Sequence, residues 1–298
     1  MPDLWRPEET DLPTPGDVAF YREHGWYVTD PIVPLDLLDD MVRRVDDHQR
    51  RPDAERLRST VGHEDWRPGD PPGVQNSEFL TYQQPAFGVL TLAPLIGAIA
   101  ARLAGTGSVR LFDDQAVVKQ PDDGEAIIGW HTDHAYWSTC TSTEMITAWI
   151  PLQDTTADSG TLMVVDGSHL WDTSEHLRLF HDRNLARLGE VVGRDVPAER
   201  VVRIELRRGQ VSFHHMRLMH ASESNRSDRP RRVLSVHLQP EDNQYREVLG
   251  ADGRPVRLAD DGVAALLQAG DPAAPRANST TITASRISAA TTVPSAMP

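Results

Sequence analysis

The sequence predicts a mainly β protein with flanking helices, built around a double-layered β-sandwich or barrel. Eight short segments that alternate or run apolar, bounded by Gly, Pro or Asp, indicate strands. Segments with helical spacing are concentrated before residue 104. A His-x-Asp pair, His131 and Asp133, has its preferred partner, His220, 89 residues further on. We expect His220 to arrive from another strand brought alongside, an arrangement that suits a double-layered β-sandwich or barrel with a pocket in its mouth.

The N-terminal region is predicted to be helical. Residues 18–25 and 34–48 have the spacing of amphipathic helices. Residues 87–103 predict a third helix that braces one sheet, because leucine and isoleucine recur there at the same spacing. Residues 50–76 are polar and contain four prolines, which predicts a long loop or lid.

The strands are predicted at residues 109–112, 115–120, 126–130, 145–152, 161–165, 201–206, 210–214 and 233–239. Alternation puts Gln115, Val117 and Lys119 on one strand face, and Thr147 and Trp149 on another. If both faces turn inward, Lys119 and Trp149 approach the His-x-Asp pair.

A single domain is predicted over residues 16–269, after an acidic, Pro-rich segment at 1–15. Within it, 174–188 predicts a helical insertion and 262–269 a last short helix. Residues 270–298 are rich in Ala, Ser, Thr and Pro. They contain too few large apolar groups to offset the entropy of ordering, so we expect a disordered tail.

Composition narrows the class of partner. A formal net charge of −14 argues against nucleic acid, because phosphate binding requires clustered basic residues. No apolar run approaches the ~20 residues of a membrane span, and the N-terminus lacks the features of a secretory signal. The lone Cys140 allows no internal disulfide and fits a reducing cytoplasm. The oligomeric state stays open.

The His-x-Asp pair is the main candidate for a metal site. Residues i and i+2 of a strand point the same way, so His131 and Asp133 can reach one ion together. With His220 they form the ligand set of the 2-His-1-carboxylate triad, which holds Fe(II) and leaves open positions. A chance pair is not rare among 12 histidines. The rival ligands are His134, His169, His214 and His215.

Residues that follow His220 favour it over its rivals. Ser222, Asn225 and Arg231 come two, five and eleven positions later. Arg231 is suited to receive the far carboxylate of a 2-oxoacid. Basic residues number 30, of which 29 are Arg and one is Lys119, a bias typical of a high-GC genome. A lysine that persists against this bias indicates a tight site that a planar guanidinium would not fit, unless it is a surface residue that escaped replacement.

At these residues the chain resembles the phytanoyl-CoA dioxygenase family of Fe(II)/2-oxoglutarate oxygenases, over roughly positions 17–240. The segment WHTDHAYW is similar to the family's WHxDxxYW, and HASESNRSDRPR to its HxSxxNxSxxxR. Asp166 stands where the family usually has the Pro of PGSH. Further blocks that look like the family's are residues 20–28, 119–121, 147–152 and 159–169.

The resemblance implies a double-stranded β-helix core, the jelly roll of cupin-like proteins. It implies His131, Asp133 and His220 as iron ligands, with Fe(II), 2-oxoglutarate and O2 as cofactor and co-substrates. Ser222 and Arg231 carry over as binders of the 2-oxoglutarate C5 carboxylate, and Lys119 and Trp149 are predicted beside it. A carboxylate at Asp133 disfavours halogenation.

The implied activity is oxidation of a C–H bond in a small molecule, by hydroxylation or a related step. Tyr136, Trp137, Gln115 and Trp66 are the candidate substrate contacts. A bacterial secondary metabolite fits better than phytanoyl-CoA, since no basic patch is evident for the phosphates of CoA. Two alternatives stay open, a His2Asp zinc hydrolase and a non-catalytic, cupin-like binding protein.

Overall fold

Two antiparallel β-sheets pack face to face and enclose a cavity between them. The computed structural model describes residues 2–57, 65–172, 177–250, 253–254 and 281–282. The strands are β1 (Trp26–Val28), β2 (Gln75–Glu78), β3 (Val109–Lys119), β4 (Ile128–His131), β5 (Ile146–Pro151), β6 (Leu162–Val165), β7 (Val201–Ile204), β8 (Ser212–His215), β9 (His220–Ser222), β10 (Arg231–Pro240) and β11 (Thr281–Ile282). This confirms the predicted mainly β architecture with flanking helices.

Within the described ranges, the larger sheet has the strand order β1-β8-β5-β10-β3-β11, and β2 also pairs with β3. The smaller sheet has the order β4-β9-β6-β7. Trp149 and Val233 of the larger sheet share a buried cluster with Leu162, Val164 and Ile204 of the smaller sheet. Burial of these apolar side chains holds the two layers together, and the cavity lies beside this contact.

Helices cover the outer face of the larger sheet. They are α1 (Pro15–His24), α2 (Leu35–Gln49), α3 (Leu80–Gln83), α4 (Gly88–Thr91) and α5 (Pro94–Ala104). The short α6 (Leu188–Val192) instead packs on the smaller sheet, where Leu188 and Val192 share a buried cluster with Trp130 and Met163. Thr14 begins α1 with a capping box, in which its hydroxyl accepts from the Asp17 amide and the Asp17 carboxylate accepts from the Thr14 amide. The amphipathic α2 buries Leu38, Met41 and Val45 against the sheet.

The predicted helix at 87–103 is wrong as a single element. The chain forms α4, breaks, and starts again as α5. Pro94 has no amide hydrogen and disfavours helical backbone at the residue before it. Ala93 accordingly has extended backbone (φ −61°, ψ 126°), and Pro94 becomes the first residue of α5.

The two strands predicted at 109–112 and 115–120 are one continuous strand, β3. Asp113 and Asp114, taken as a strand boundary, lie inside it and are buried. Their carboxylates accept hydrogen bonds from the amides of Phe79 and Thr81 respectively, which satisfies them within the sheet. Strand β2 was not predicted, because it falls at the end of the region assigned to a loop.

The predicted helical insertion at 174–188 is largely wrong, and its residues 174–176 lie outside the described part of the chain. The carbonyls of Leu177 and Phe180 accept hydrogen bonds from Thr132 and Gly129, beside β4. These two carbonyls therefore form hydrogen bonds with backbone amides at β4, and not with amides of a helix within the segment. A Cβ on Gly129 would overlap the carbonyl oxygens of Leu179 and Asp182, so only glycine permits this close packing.

Two other expectations concern the C-terminal region. The helix predicted at 262–269 lies outside the described residues. Of the tail predicted at 270–298, Thr281–Ile282 is described and pairs antiparallel with Arg110 and Val109. Among the described residues, no single helix is long and apolar enough to cross a membrane, although the pair Pro85–Thr91 and Pro94–Ala104, bent by 53°, meets the length and composition test together.

Candidate active site

The cavity between the sheets has a volume of about 550 Å³ and is lined by residues of both layers. Strands β3, β5, β8 and β10 form one wall, and β4 and β9 form the other, where the predicted metal ligands lie. The segment that follows residue 176 adds Arg178, Phe180 and His181 to the lining. A cavity of this size that combines apolar surface with converging polar groups is typical of a small-molecule site.

His131, Asp133 and His220 come together as the sequence predicts. His131 ends β4 and faces His220 at the start of β9, its direct partner across the pair. Thr132 is extended (φ −121°, ψ 144°), so Asp133 points to the same side as His131. One donor atom from each residue lies within 4.8 Å of the others, and His220 Nε2 is 3.5 Å from Asp133 Oδ1.

Backbone carbonyls fix the orientation of both imidazoles. His131 Nδ1 lies 2.8 Å from the Gly129 carbonyl, and His220 Nδ1 lies 2.9 Å from the Leu218 carbonyl. A carbonyl only accepts, so each Nδ1 carries the hydrogen and each Nε2 lone pair is left for a metal. Burial lowers the pKa of His131, and lowers that of His220 well below its usual value, against the opposing effect of Asp133. Both rings are therefore neutral ligands.

Asp133 is held as a carboxylate. Burial alone would raise its pKa, but His220, His214 and His237 outweigh burial and lower the pKa below its ordinary value. Thr147 Oγ1 donates to Asp133 Oδ2 at 2.8 Å. His214 Nε2 is 3.5 Å from the same oxygen, which leaves Oδ1 facing His220.

Arg231 is a buried cation without a carboxylate partner in the described part of the chain. It is 1% exposed, and its Nε has no hydrogen-bond partner there. Its guanidinium lies 5.7 Å from the centre of the Trp149 ring. Burial lowers its pKa to about 9. A desolvated charge facing a cavity is costly unless an anion joins it, so this end of the cavity suits a carboxylate.

Lys119 lies behind Ser222 and is not one of the cavity-lining residues. Its Nζ contacts Ser222 Oγ at 2.6 Å, the Ser222 carbonyl at 3.1 Å and the Glu223 carbonyl at 2.7 Å. Burial and the charge of Arg231 lower its pKa well below the usual value, while Glu223 acts in the opposite direction. Three acceptors match the three hydrogens of an ammonium.

The predicted substrate contacts divide into two groups. Gln115, Tyr136 and Trp137 line the cavity, as does Trp149. Trp66 is not one of the lining residues, and its backbone amide donates to the Asn76 carbonyl at 2.7 Å. Its large side chain was the reason for including it, but the β2 pairing holds it at the edge of the larger sheet.

Several lining residues were missed by sequence reasoning. Ser235 and His237 alternate with Arg231 along β10, a period-two signal that could have identified them. Asp113 was treated as a strand boundary, and Glu78 fell just beyond the predicted loop. Asp166, the departure from PGSH, lies elsewhere: it accepts from Trp26 Nε1 at 2.8 Å and contacts His24 Nδ1 at 2.9 Å.

Comparisons with known proteins agree with this arrangement. The family model "Phytanoyl-CoA dioxygenase (PhyH)" matches residues 21–233. Phytanoyl-CoA dioxygenase domain-containing protein 1 of Mus musculus is 28% identical over 158 residues, 52% of this chain and 53% of that protein. The match thus spans about half the length of this curated relative.

Solved structures share the jelly-roll fold. The non-haem α-ketoglutarate-dependent carbocyclase SnoK from nogalamycin biosynthesis has a TM-score of 0.66 and 26% identity, over 90% of this chain and 96% of SnoK. EctD from S. alaskensis, solved with 2-oxoglutarate and 5-hydroxyectoine, has a TM-score of 0.63 and 18% identity, over 86% of each chain. At the lower identity the likeness shows the fold alone.

Proposed function

This chain belongs to the phytanoyl-CoA dioxygenase family, and from that premise we propose that it is a non-haem Fe(II)/2-oxoglutarate-dependent oxygenase that oxidises a C–H bond of a small molecule. One observation carries the proposal. One cavity is lined both by the His131–Asp133–His220 donor set and by Arg231, a buried cation with no carboxylate partner among the described residues.

The donor set fits Fe(II). Two neutral imidazoles with their Nε2 atoms free and one ionised carboxylate are the ligands of the facial triad. When bound, the iron, with 2-oxoglutarate and O2, supplies the oxidising chemistry. Thr147 donates to Asp133 Oδ2 and so restrains that carboxylate, which favours ligation through Oδ1.

Arg231 and Ser222 are the proposed binders of the distal 2-oxoglutarate carboxylate. Arg231 offers a planar fork that can pair with two carboxylate oxygens. Ser222 Oγ already accepts from Lys119, so its own hydroxyl hydrogen is available to the cavity that Ser222 lines. Lys119 therefore acts through Ser222 as a positioning residue, while its charge and that of Arg231 both favour an anion.

The remaining walls position the substrate and exclude water. Trp137, Trp149 and Phe180 give the cavity aromatic surfaces close to the donor set. The His131 ring lies 5.1 Å from Phe180, centre to centre. Arg178 donates from Nε to the Ala135 carbonyl at 2.5 Å and ties the 177–182 segment to the turn that carries Asp133.

We further propose a substrate from bacterial secondary metabolism and a cytoplasmic location. SnoK, from nogalamycin biosynthesis, supports the first at 26% identity over 90% of the chain. The near-exclusive use of Arg in place of Lys fits a high-GC bacterial genome. Cys140 is buried and forms no disulfide, which fits a reducing compartment.

Succinate formation tests the activity. The protein is incubated with 2-oxoglutarate and O2 in the presence of either Fe(II) or Zn(II), and succinate is quantified. We expect succinate with Fe(II) and none with Zn(II), and none from the Asp133→Ala variant. Ester or amide hydrolysis supported by Zn(II), with no succinate under any condition, would favour the zinc hydrolase instead.

A further inference from the structure

We propose that Arg178, at the mouth of the cavity, binds a carboxylate group of the substrate, an assignment that rests on the proposed function because it concerns the same cavity. Arg178 and His181 are exposed, whereas the other described residues of the lining are buried or half-buried. The exposure of these two side chains identifies the open end. Arg231, the proposed partner of 2-oxoglutarate, is 1% exposed, so the two arginines of the lining lie at different depths.

The backbone places Arg178 beside the proposed metal site. Arg178 and His131 are direct partners in an antiparallel bridge. Directly opposed residues of an antiparallel pair have their side chains on the same face, with Cβ atoms about 4.5–5.5 Å apart. The Arg178 side chain therefore starts next to an iron ligand, and a group bound by its guanidinium is held close to the proposed iron site.

Two contacts restrain the Arg178 guanidinium and leave part of it available. Its Nε donates to the Ala135 carbonyl at 2.5 Å, and its central carbon lies 5.2 Å from the centre of the Tyr136 ring. Neither contact uses the hydrogens of Nη1 and Nη2, which can pair with two carboxylate oxygens. A side chain that is already restrained loses less conformational entropy when a ligand binds.

Arg178 differs from neighbouring arginines in having no acidic partner among the described residues, where its polar and ring contacts are with Ala135 and Tyr136. Arg183, five residues later, pairs with Glu125. Arg187 also forms an ion pair, through the residues that follow Arg183. A positive charge at a cavity mouth with no acidic partner raises the local concentration of anions from solution.

Tyr136 supplies a second hydrogen-bond donor at the mouth. Its hydroxyl oxygen accepts from the Phe180 amide at 3.4 Å, so the hydroxyl hydrogen is available to another acceptor. Burial raises the pKa of Tyr136 above its ordinary value, against smaller opposing effects of the Phe180 amide and the Arg178 charge. The phenol therefore keeps its hydrogen at neutral pH, and both Arg178 and Tyr136 favour an acceptor.

The lining favours a monoanion with an apolar body. Arg178 is the one arginine at the mouth among the described lining residues, and Asp133 in the same lining opposes a second negative charge. A carboxylate therefore fits better than a dianionic phosphate. Trp137 and Phe180 also line the cavity, and the Phe180 ring lies 5.1 Å from that of His131, centre to centre. These rings suit an apolar or aromatic group attached to the carboxylate.

The test compares phenylacetate with phenylacetamide, which share a shape and differ in charge. Binding is measured by calorimetry, without oxygen, on protein loaded with Fe(II) and saturated with 2-oxoglutarate. We expect phenylacetate to bind about fivefold more tightly, the upper end of the range for an ion pair that is partly exposed to solvent. Equal affinities, tighter binding of the amide, or no binding of phenylacetate would overturn the inference. Tighter binding of phenyl phosphate than of phenylacetate would overturn the assignment to a carboxylate.

Arg178→Gln separates charge from structure, because the amide nitrogen of Gln replaces Nε and can still donate to the Ala135 carbonyl. We expect it to weaken phenylacetate binding about fivefold and to leave phenylacetamide within about twofold, with partial recovery in Arg178→Lys. The matched control is Arg183→Gln, the same change at an arginine that pairs with Glu125 and is not a lining residue. A purely structural role of Arg178 would weaken both probes equally, and that result would overturn the inference.

Failure of this inference can be told from failure of the proposed function. Binding of 2-oxoglutarate to the Fe(II)-loaded protein is measured first, in the same calorimeter. If 2-oxoglutarate does not bind, the oxygenase proposal fails. If it binds and phenylacetate shows no preference over phenylacetamide, only the carboxylate site is wrong. A loss of 2-oxoglutarate affinity in Arg178→Gln would assign Arg178 to the co-substrate and would also overturn the inference.

Discussion

Lys119 Nζ donates to Ser222 Oγ at 2.6 Å, and of these two residues only Ser222 lines the cavity. The ammonium also reaches the carbonyls of Ser222 and Glu223, so all three of its hydrogens have an acceptor. The contact makes the Ser222 hydroxyl an acceptor on one side and leaves its hydrogen for the cavity. Ser222 is thereby prepared to donate to an incoming carboxylate.

Replacement of Lys119 should weaken 2-oxoglutarate binding without loss of iron. Lys119→Met removes both the charge and the group that orients Ser222, and we expect the KM for 2-oxoglutarate to rise about tenfold. Lys119→Arg should not restore it, because a planar fork cannot reproduce three tetrahedral contacts in a fully buried space. Fe(II) affinity, measured by equilibrium dialysis, should stay unchanged.

A double-mutant cycle checks that Lys119 acts through Ser222. Ser222→Ala should raise the same KM. Expressed as free energies of 2-oxoglutarate binding, the loss in the Lys119→Met/Ser222→Ala double variant should be smaller than the sum of the losses in the two single variants. Additive losses would contradict the coupling and would leave Lys119 with an independent role.

Arg231 should stabilise the protein only when 2-oxoglutarate is bound. Removal of a buried, unpaired charge relieves its desolvation cost, so Arg231→Met should unfold at a higher temperature than the wild type in the absence of ligand. At one fixed concentration, 2-oxoglutarate should raise the unfolding temperature of the wild type by more than that of the variant, because the variant binds it more weakly. Differential scanning fluorimetry measures both effects, and a less stable ligand-free variant would contradict this account.

Two neighbouring arginines, Arg229 and Arg232, test whether Arg231 is the correct arginine of the HxSxxNxSxxxR motif that begins at His220. Truncation of one member of a buried charge pair costs about 2–5 kcal/mol, so Arg231→Ala should raise the KM for 2-oxoglutarate at least about tenfold. Arg229 has a side chain that is 85% exposed, and Arg229→Ala should change KM little. Arg232→Ala should affect stability instead, because its Nε contacts Asp46 Oδ1 at 2.7 Å.

The choice of distal ligand is tested by two histidines from opposite walls of the cavity, His214 on β8 and His220 on β9. His220→Ala should abolish Fe(II) binding, since two ligands cannot hold the ion in defined geometry. His214→Ala should retain iron, because His214 is outside the donor group of His131, Asp133 and His220, and its Nε2 lies 3.5 Å from Asp133 Oδ2. Equilibrium dialysis with Fe(II) distinguishes the two, and iron retained by His220→Ala but lost by His214→Ala would show that the distal ligand is wrong.

Gly129→Ala tests the packing of the 177–182 segment on β4. The added Cβ would overlap the carbonyls of Leu179 and Asp182, and relief requires the segment to move. Overpacking of this kind costs roughly 1–3 kcal/mol, and we expect a lower unfolding temperature together with weaker Fe(II) binding. Gly124→Ala is the matched control, since nothing lies within 4 Å of its added Cβ. Equal behaviour of the two variants would contradict the packing argument.

The fold class and the three donor residues were accessible from sequence because each has a local signature. Alternating strands predict a sheet, and His131 and Asp133 share a side through two-residue spacing. His220 could be chosen over His214 only through the residues that follow it. The helix break at Pro94 could also have been predicted from the sequence, since proline interrupts a helix even where the apolar residues keep helical spacing.

The rest depends on pairing between distant strands. The contact of Lys119 with Ser222 joins β3 to β9, and the proximity of Asp113 to His237 follows from the register of β3 with β10. No pattern within one segment contains this information. For the same reason residues 174–188 were predicted to be helical, although the carbonyls of Leu177 and Phe180 accept hydrogen bonds from Thr132 and Gly129, beside β4.

The central claim is that one cavity binds Fe(II) and 2-oxoglutarate together, through the triad and Arg231. An anaerobic titration of the Fe(II)-loaded protein with 2-oxoglutarate tests it most directly, since chelation of Fe(II) by a 2-oxoacid gives a visible charge-transfer absorption. We predict that the band forms and saturates in the wild type, needs a higher 2-oxoglutarate concentration in Arg231→Ala, and is absent in Asp133→Ala. A wild-type protein that retains Fe(II) but develops no band at any 2-oxoglutarate concentration would contradict the account.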